Sequence, residues 1–281
     1  MAKIMDPGPG MTIYDPCCGS AGLLIKCELA LDEKMQGQGR KKFSGLTLYG
    51  QEYIAQTWAM ANMNMIIHDM EGQIEIGDTF RNPKFWDNKR LMTFDRVVAN
   101  PMWNQTMFGE KDYDADAFGR FPNGAGYPGN KADWGWMQHI FASLNDRGKA
   151  AVVFDTGAAS RGSGNANSNK EKEVRKNRLF FVNASKEFAK GDPKNYITEE
   201  GIEKIASAFL KWEEIEKFSR IVTKEEIVRN DYNISPSRYI HVSEAEEYRP
   251  IAEIVEKLNA LDEEAKETDL ALRTILSRMG I

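Results

Sequence analysis

The sequence has 281 residues with 37 basic and 42 acidic side chains, and 42% of it is hydrophobic, a composition that excludes a disordered chain and a membrane-embedded one. No apolar run approaches the roughly 18 residues of a membrane-spanning helix, and the opening MAKIMDPGPG lacks the apolar core of a signal peptide, so we expect a cytoplasmic protein without membrane contact. Three closely spaced cysteines are too few for a disulfide framework or a four-ligand zinc site, and we expect no bound metal.

From residue 11 to about residue 155, short apolar runs alternate with longer amphipathic ones, which is typical of β-α-β units around a parallel sheet. The apolar runs predict five strands, at residues 12–14, 46–49, 74–76, 96–99 and 150–154. The amphipathic runs predict helices at residues 21–31, 54–67 and 134–144. The predicted fold class is therefore α/β, with a doubly wound, mostly parallel sheet that binds its ligand at the carboxyl ends of the strands.

The second half of the chain has a different pattern. Residues 156–170 are rich in Gly, Ser and Asn and predict a flexible loop. Helices are predicted at 198–220 and 223–229, followed by an extended stretch at 233–240. In residues 251–279 apolar side chains recur every seven residues, which predicts a helix with one apolar seam. The pattern leaves open whether that seam packs against a partner, a second copy or the same chain.

The charge of the protein is unevenly distributed. Residues 242–270 contain ten acidic and three basic side chains, a net charge of −7, whereas the whole chain carries −5. The rest of the chain is therefore close to neutral, and no part of it is basic enough to hold DNA on its own through phosphate neutralisation. If DNA is the substrate, a partner must supply part of the contact.

The loop after the first predicted strand is DPCCGSAG, from Asp15 to Gly22. It places an acid at the strand end, and Gly19 and Gly22 at the start of the following helix, so that a ligand can approach the backbone without a side chain in the way. The glycine spacing differs from the G-x-G-x-x-G of dinucleotide-binding loops, which weakens the hypothesis of a nicotinamide dehydrogenase. Taken alone, the loop could equally be a tight turn with a structural role.

Two further acids follow the next two predicted strands. Glu52 can accept hydrogen bonds from both hydroxyls of a ribose, or it is an exposed charge at a helix start, where the helix dipole favours it. Asp78 can accept a hydrogen bond from the amino group of an adenine, or it is a turn-forming or helix-capping residue. Together with Asp15, these acids at consecutive strand ends indicate an adenosine-containing ligand.

The most specific motif, VVANPMW, follows the fourth predicted strand and contains Asn100, Pro101, Met102 and Trp103. It resembles the Asp/Asn/Ser-Pro-Pro-aromatic signature of the amino-methylating DNA methyltransferases. The resemblance narrows to the modification subunits of type I restriction-modification systems through the segments TIYDPCCGSAGLLI, LYGQE, ANMNM, GDTF, ADWGWMQHIFASL, NASKEFAKGDPKN and NDYNISPSRYI. These segments cover nearly the whole chain in order.

The resemblance implies a Rossmann-like methyltransferase sheet with S-adenosyl-L-methionine as its cofactor. It assigns Asp15, Gly19 and Gly22 to the methionine side of the cofactor, Glu52 to its ribose and Asp78 to its adenine. It also implies a specificity subunit, a restriction subunit, a second modification subunit and double-stranded DNA with a flipped adenine as partners. The expected domains are an incomplete methyltransferase domain at 1–196, its helical and extended C-terminal part at 197–240, and a heptad-repeat helical tail at 241–281.

The chemistry of adenine methylation explains why the motif needs these residue types. The lone pair of the adenine amine is delocalised into the ring, so the nitrogen must be bent towards tetrahedral geometry and held in line with the methyl group. The Asn100 side-chain oxygen and the Pro101 carbonyl can each accept one N–H bond and so localise the lone pair. Trp103 is expected to stack on the flipped base rather than to fill the core. His139 is interpreted as a packed helical residue without a catalytic role.

The sequence departs from this family in four places. Met102 replaces the second Pro of the tetrapeptide, and Ala21 replaces a loop Gly. The family has a helical domain and a Thr-Pro-containing cofactor segment ahead of the first strand; we expect neither in this chain, and we therefore expect the isolated chain to bind cofactor weakly. Two strands of the family after the 156–170 loop also lack a counterpart, which would leave one sheet edge uncovered.

Two functions follow from these residues. The first is a site-specific DNA adenine methyltransferase subunit of a type I complex, in which the specificity subunit recognises the DNA site. The second is a truncated, catalytically silent remnant that acts as an interaction module for the specificity subunit. Transfer of a methyl group to DNA separates the two.

Overall fold

The computed structural model describes residues 1–240 apart from residues 40–41, 88–89, 107–115, 122–130, 154–177, 193, 231–233 and 235. The loop predicted at 156–170 and the heptad-repeat tail predicted at 251–279 lie outside the described residues. Among the helices in the described part of the chain, none is long and apolar enough to cross a membrane.

Five parallel strands form the main sheet. In chain order the described strands are β1 (Thr12–Asp15), β2 (Thr47–Glu52), β3 (Gly72–Ile76), β4 (Trp86–Asp87), β5 (Arg90–Leu91), β6 (Phe94–Ala99), β7 (Leu144–Val152), β8 (Arg178–Val182), β9 (Phe188–Ala189), β10 (Tyr196–Ile197) and β11 (Ser219–Thr223). The main sheet has the order β3-β2-β1-β6-β7, and every neighbouring pair in it is parallel. The prediction of a doubly wound parallel sheet is confirmed.

Helices connect the strands and cover the sheet. They are α1 (Ala2–Met5), α2 (Gly22–Gly37), α3 (Ala55–Ile67), α4 (Asp133–Ala142), α5 (Glu199–Lys211) and α6 (Lys224–Arg229). The predicted helices after the first two strands and before the fifth are confirmed as α2, α3 and α4. The side chains of Thr198 and Thr223 accept hydrogen bonds at the N-termini of α5 and α6, which satisfies backbone donors there.

Apolar side chains cover both faces of the main sheet, as parallel strands require. On one face, Ile13 and Leu48 pack in a cluster with Leu24 of α2. On the other face, Tyr14 packs in a second cluster with Ile140 of α4. Because Ile13 and Tyr14 are neighbours in β1, they point to opposite faces and join the sheet to both helical layers.

The strand order reverses between β1 and β6. Chain connections go from β1 to β2 and β3 on one side, and from β6 to β7 on the other. The loops after β1 and β6 therefore leave the sheet in opposite directions and open a crevice at the carboxyl ends of these strands. That crevice is the place where this kind of sheet binds its ligands.

Three predicted boundaries are wrong. The helix predicted at 198–220 ends at Lys211, because Trp212 has a left-handed backbone with φ 58°, and Ser219 begins β11, which pairs antiparallel with β8. The stretch predicted as extended at 233–240 contains a 3-10 helix at Pro236–Arg238. The fifth strand begins at Leu144 rather than residue 150. Its first half is polar because β7 lies at an edge of the described sheet, where side chains meet water.

The expected domain boundaries stay predictions. The expected absence of two strands after the loop also stays a prediction, because residues 154–177 lie outside the described part of the chain.

Replacing Leu48 with Ala should destabilise the protein. Leu48 is 0% exposed and lies in β2 beside β1, so truncation removes buried apolar surface and leaves a cavity, at a cost of about 2 to 5 kcal/mol in the free energy of unfolding. Urea denaturation measures this loss. Met63→Ala, at a helix position that is 59% exposed, is the control and should change the free energy by less than about 0.5 kcal/mol. Equal losses in the two variants would contradict the assigned core.

Candidate functional site

A cavity of about 650 Å³ lies at the carboxyl ends of β1, β2, β3 and β6. Its volume is in the range of small-molecule and cofactor sites. Residues from all four of the loops that follow these strands line it, together with residues of α3 and α4: Pro16, Cys17, Gly19, Glu52, Tyr53, Ile54, Thr57, Asp78, Thr79, Phe80, Arg81, Asn100, Met102, Gln105, Thr106 and Trp136. The cavity therefore sits at the crevice that the strand order creates.

The loop after β1 lines the cavity, and two of its residues have a left-handed backbone conformation. Gly19 has φ 55° and Ala21 φ 65°, a conformation that costs L-residues roughly 1 to 2 kcal/mol and glycine almost nothing. Gly19 lines the cavity, and a Cβ built on it would meet nothing within 4 Å. Gly22 begins α2 and is not among the lining residues. The structure thus brings Gly19, but not Gly22, to the cavity wall.

Glu52 connects the loops after β1 and β2. Its Oε2 accepts a hydrogen bond from the Gly19 N–H at 3.0 Å, and its Oε1 accepts one from the Ile54 N–H at 2.8 Å, at the start of α3. Both interpretations of this acid are compatible with the geometry, because a carboxylate oxygen that accepts one N–H keeps a second lone pair. Glu52 lines the cavity and can still accept hydrogen bonds from hydroxyl groups.

Asp78 forms the turn after β3. Its Oδ1 accepts hydrogen bonds from the N–H groups of Phe80 at 2.9 Å and Arg81 at 3.2 Å. The turn-forming role that the sequence offered as one alternative is therefore present. Asp78 also lines the cavity, and within the described residues no hydrogen bond engages its Oδ2. One carboxylate oxygen shapes the loop, and the other can accept a hydrogen bond from a ligand.

The loop after β6 carries the Asn-Pro motif. Asn100 is exposed and lines the cavity, while Pro101 is buried. Met102 is 67% exposed and also lines the cavity. Trp103 is half-buried and is not among the lining residues. Of the three predicted catalytic residues, Asn100 lines the cavity, whereas Pro101 and Trp103 are not among its lining residues.

Contacts with the start of α4 fix the Asn-Pro loop. The Asn104 N–H donates a hydrogen bond to Asp133 Oδ1 at 2.6 Å, and Asn104 itself has φ 59°. The Ala132 N–H donates to the Gln105 carbonyl at 2.9 Å. Lys131 Nζ donates to the Asn104 carbonyl at 3.2 Å. One backbone hydrogen bond and two that involve side chains therefore connect the loop to the start of α4 and fix its position.

Burial controls the charge of Asp15. The side chain is 1% exposed, and its Oδ1 accepts a hydrogen bond from the Cys17 N–H at 3.0 Å. Loss of hydration raises the pKa of the Asp15 carboxyl to about 7, and the nearby charge of Glu52 adds to this, while the hydrogen bond from Cys17 opposes it. Asp15 is not among the cavity-lining residues. It lies under the loop that Gly19 belongs to.

Two aromatic residues of the cavity wall were not identified from the sequence. Phe80 and Trp136 form an edge-to-face pair with ring centroids 4.5 Å apart, and both line the cavity. Trp136 is the second Trp of ADWGW, and the helical spacing gave no reason to choose it over Trp134. His139 is fully buried in α4, with Nε2 3.2 Å from the Tyr14 hydroxyl. Its interpretation as a packed residue is confirmed.

Among the described residues, no group of three or more His, Cys, Asp and Glu side chains is arranged to hold a metal ion. The polar side chains of the cavity wall include two carboxylates, two amides, several hydroxyls and the Arg81 guanidinium. Such a wall offers both acceptors and donors of hydrogen bonds to an organic ligand.

Replacing Asp15 with Asn should flatten the dependence of stability on pH. The carboxyl pKa is about 7 in the folded protein against an ordinary 3.8, so its contribution to stability is full below about pH 4 and is lost as the pH rises through about 7. Asn keeps an acceptor for the Cys17 N–H but never ionises. As the pH rises, we expect the free energy of unfolding of the variant to increase relative to that of the unmodified protein. The increase should reach about 4 kcal/mol at about pH 8.

Urea unfolding at a series of pH values measures this difference. Asp87→Asn removes an exposed acid of β4 that is not part of the cavity wall, and it should leave the profile unchanged. A difference between the Asp15→Asn variant and the unmodified protein that stays constant with pH would contradict the raised pKa.

Comparison with known proteins gives one consistent family. The N-6 DNA methylase model matches residues 1–169 and 167–248. The type I restriction enzyme MjaVIII methylase subunit of Methanocaldococcus jannaschii is 31% identical over 320 residues, with 94% of this chain and 52% of the relative covered. The HindI methylase subunit of Haemophilus influenzae is 27% identical, with 96% of this chain and 68% of the relative covered. The chain spans about half the length of the Methanocaldococcus relatives it matches.

A solved structure supports the same assignment. The methyltransferase subunit of a type I restriction-modification system from Streptococcus thermophilus superimposes with a TM-score of 0.69 at 28% identity, over 85% of this chain and 58% of that one. This likeness confirms the predicted methyltransferase fold. Since the family model matches far more than half of the residues, the chain belongs to the N-6 DNA methylase family.

Proposed function

We propose that the chain transfers a methyl group from S-adenosylmethionine to the N6 atom of adenine in DNA, as the catalytic part of a type I modification subunit. One observation carries the proposal: Gly19, Glu52, Asp78 and Asn100, chosen from the sequence on four separate loops, line a single cavity. Membership of the N-6 DNA methylase family is the reason to propose methyl transfer as the reaction in this cavity.

The cavity wall fits the adenosine part of the cofactor. The Glu52 carboxylate has lone pairs for the two ribose hydroxyls, and the Asp78 Oδ2 has them for the adenine amino group. Beside them, the Gly19 backbone leaves open space where a side chain would stand. Asp15 and Gly22 would act from beneath, by shaping the loop that faces the methionine part.

The Asn-Pro loop would bind the adenine that receives the methyl group. The Asn100 side chain is exposed at the cavity wall, and no hydrogen bond within the described residues engages it. Its oxygen can therefore accept one N–H of the adenine amine, while the Pro101 carbonyl accepts the other. These two hydrogen bonds orient the amine and localise its lone pair. When bound, the cofactor supplies an electrophilic methyl group on a sulfonium.

The target adenine must leave the duplex to reach this loop, because the amine is otherwise paired within the helix. We propose that Trp103 stacks on the flipped ring, with the exposed thioether of Met102 beside it. Burial of the ring against this loop would exclude water from the amine and offset part of the cost of unstacking.

Partners would complete the DNA contact. The chain is near neutral outside residues 242–270. It therefore lacks the excess of basic side chains that would displace enough counterions from DNA for strong binding. We therefore propose that a specificity subunit reads the DNA site, that a restriction subunit and a second modification subunit join the complex, and that the heptad-repeat tail is the docking element. The complex would act in the cytoplasm, where DNA is accessible.

The transfer of labelled methyl from S-adenosylmethionine to DNA, with and without a specificity subunit, tests the proposal. The Asn100→Ala variant should lose about 100-fold or more of the activity of the unmodified chain, because one of the two hydrogen bonds that orient the amine disappears. Asn195→Ala, at an exposed position outside the cavity wall, is the matched control and should retain full activity.

Two outcomes would contradict the proposal. Equal transfer by Asn100→Ala and the unmodified chain would show that the reaction does not occur at this loop. Binding of the specificity subunit without any transfer of label would show that the chain is a catalytically silent interaction module.

A further inference from the structure

Arg120 is a buried arginine whose guanidinium donors are all engaged. It is 5% exposed and lies in the short described segment of residues 116–121. Nε donates to Asp116 Oδ1 at 2.9 Å, and Nη2 donates to the same oxygen at 2.7 Å. The Asp116 and Arg120 side chains are each only 4% exposed, so the ion pair is shielded from water.

The remaining donors point to the turn after β3. Nη1 donates to the Thr79 carbonyl at 2.8 Å, and Nη2 donates to the Phe80 carbonyl. These are the two peptide groups directly after Asp78, and both residues line the cavity. Arg120 therefore binds the carbonyl groups of this turn, and Asp78 accepts a hydrogen bond from the Phe80 N–H of the same turn.

The guanidinium also contacts α4. Nη1 lies 3.4 Å from Nδ1 of His139, and Arg120 lowers the pKa of His139 further below the range already set by burial, which keeps the ring neutral and able to accept this N–H. The first residue of α4, Asp133, holds the Asn-Pro loop through the Asn104 N–H. Arg120 thus contacts the turn after β3 and also α4, the helix whose first residue holds the Asn-Pro loop.

A purely structural ion pair would not need this arrangement. Burying a guanidinium and a carboxylate costs several kcal/mol of hydration, and well-packed apolar side chains of similar volume are often as stable. A planar fork with five donors can hold two carbonyls, a carboxylate and an imidazole at fixed angles, which an ammonium group cannot do. These contacts hold the carbonyls of the turn whose N–H groups donate to Asp78 Oδ1.

We propose that Arg120 is a positioning residue for recognition of the cofactor's adenine: it holds the Asp78–Phe80 turn so that Asp78 Oδ2 faces the adenine amino group. Asp116 orients the guanidinium for this task. The inference rests on the proposed function and adds to it a residue that lies outside the cavity wall.

The test compares two ligands that differ only at the group Asp78 would bind. S-adenosylhomocysteine carries the adenine amino group, and its 6-deamino analogue, with unsubstituted purine as the base, carries a hydrogen in its place. Isothermal titration gives the ratio of their dissociation constants for each protein. For the unmodified chain we expect the adenosine form to bind about tenfold tighter or more, because the purine form leaves the Asp78 carboxylate without its donor.

Arg120→Lys should lose most of this preference, with a ratio of about 1 to 3, because a lysine cannot hold both carbonyls and Asp116 at once. Arg96→Lys is the matched control. Arg96 is 6% exposed and donates to the carbonyls of Met5 and Asp95, away from the cavity wall. It should be destabilised in thermal unfolding yet keep the ratio of the unmodified chain.

Each remaining result has a distinct meaning. An unchanged ratio in Arg120→Lys, or an equal fall in both lysine variants, would overturn the positioning role while the proposed function stands. The absence of any preference in the unmodified chain would overturn the assignment of Asp78 and, with it, this inference. If Arg120→Lys does not fold, the Asp116→Asn variant takes its place, because it keeps the shape of the side chain that pairs with Arg120 and removes its charge. This variant must then lower the ratio of dissociation constants. An unchanged ratio in Asp116→Asn would overturn the positioning role of Arg120.

Discussion

Parallel pairing of five strands is the constraint on which the site depends. Because all five point the same way, their carboxyl ends meet at one edge, and the reversal of order between β1 and β6 opens a crevice there. Glu52 lies 33 positions and Asn100 lies 81 positions after Gly19 along the chain, yet all three residues line one cavity. The apolar faces of the strands hold this edge in place from both sides.

The same side chains shape the loops and face the cavity. Glu52 accepts hydrogen bonds from backbone N–H groups of two loops, and Asp78 accepts one within a turn. Each carboxylate still has lone pairs that can accept hydrogen bonds from a ligand. Behind them, Arg120 and Asp133 hold the turn after β3 and the Asn-Pro loop. A ligand that meets such a preformed wall loses less free energy to ordering of the protein than one that must organise it.

The sequence predicted the strands of the main sheet because buried parallel strands are short, continuous apolar runs. Four of the residues that it singled out at strand ends, Gly19, Glu52, Asp78 and Asn100, line the cavity, and each of them closely follows an apolar run. It missed the first half of β7, whose polar residues Asn145 to Lys149 lie at an edge and give no apolar signal. It also missed Arg120 and Trp136, because their importance arises from tertiary contacts that local periodicity does not encode.

A crystal structure of the chain with S-adenosylhomocysteine tests most directly whether this cavity is the cofactor site. We expect the ribose hydroxyls within hydrogen-bond distance of the Glu52 carboxylate, and the adenine amino group within the same distance of Asp78 Oδ2. The homocysteine part should lie along the loop that contains Gly19. A ligand bound elsewhere on the sheet, or one with its adenine turned away from Asp78, would contradict the assignment of the loops after β1, β2 and β3 to the cofactor.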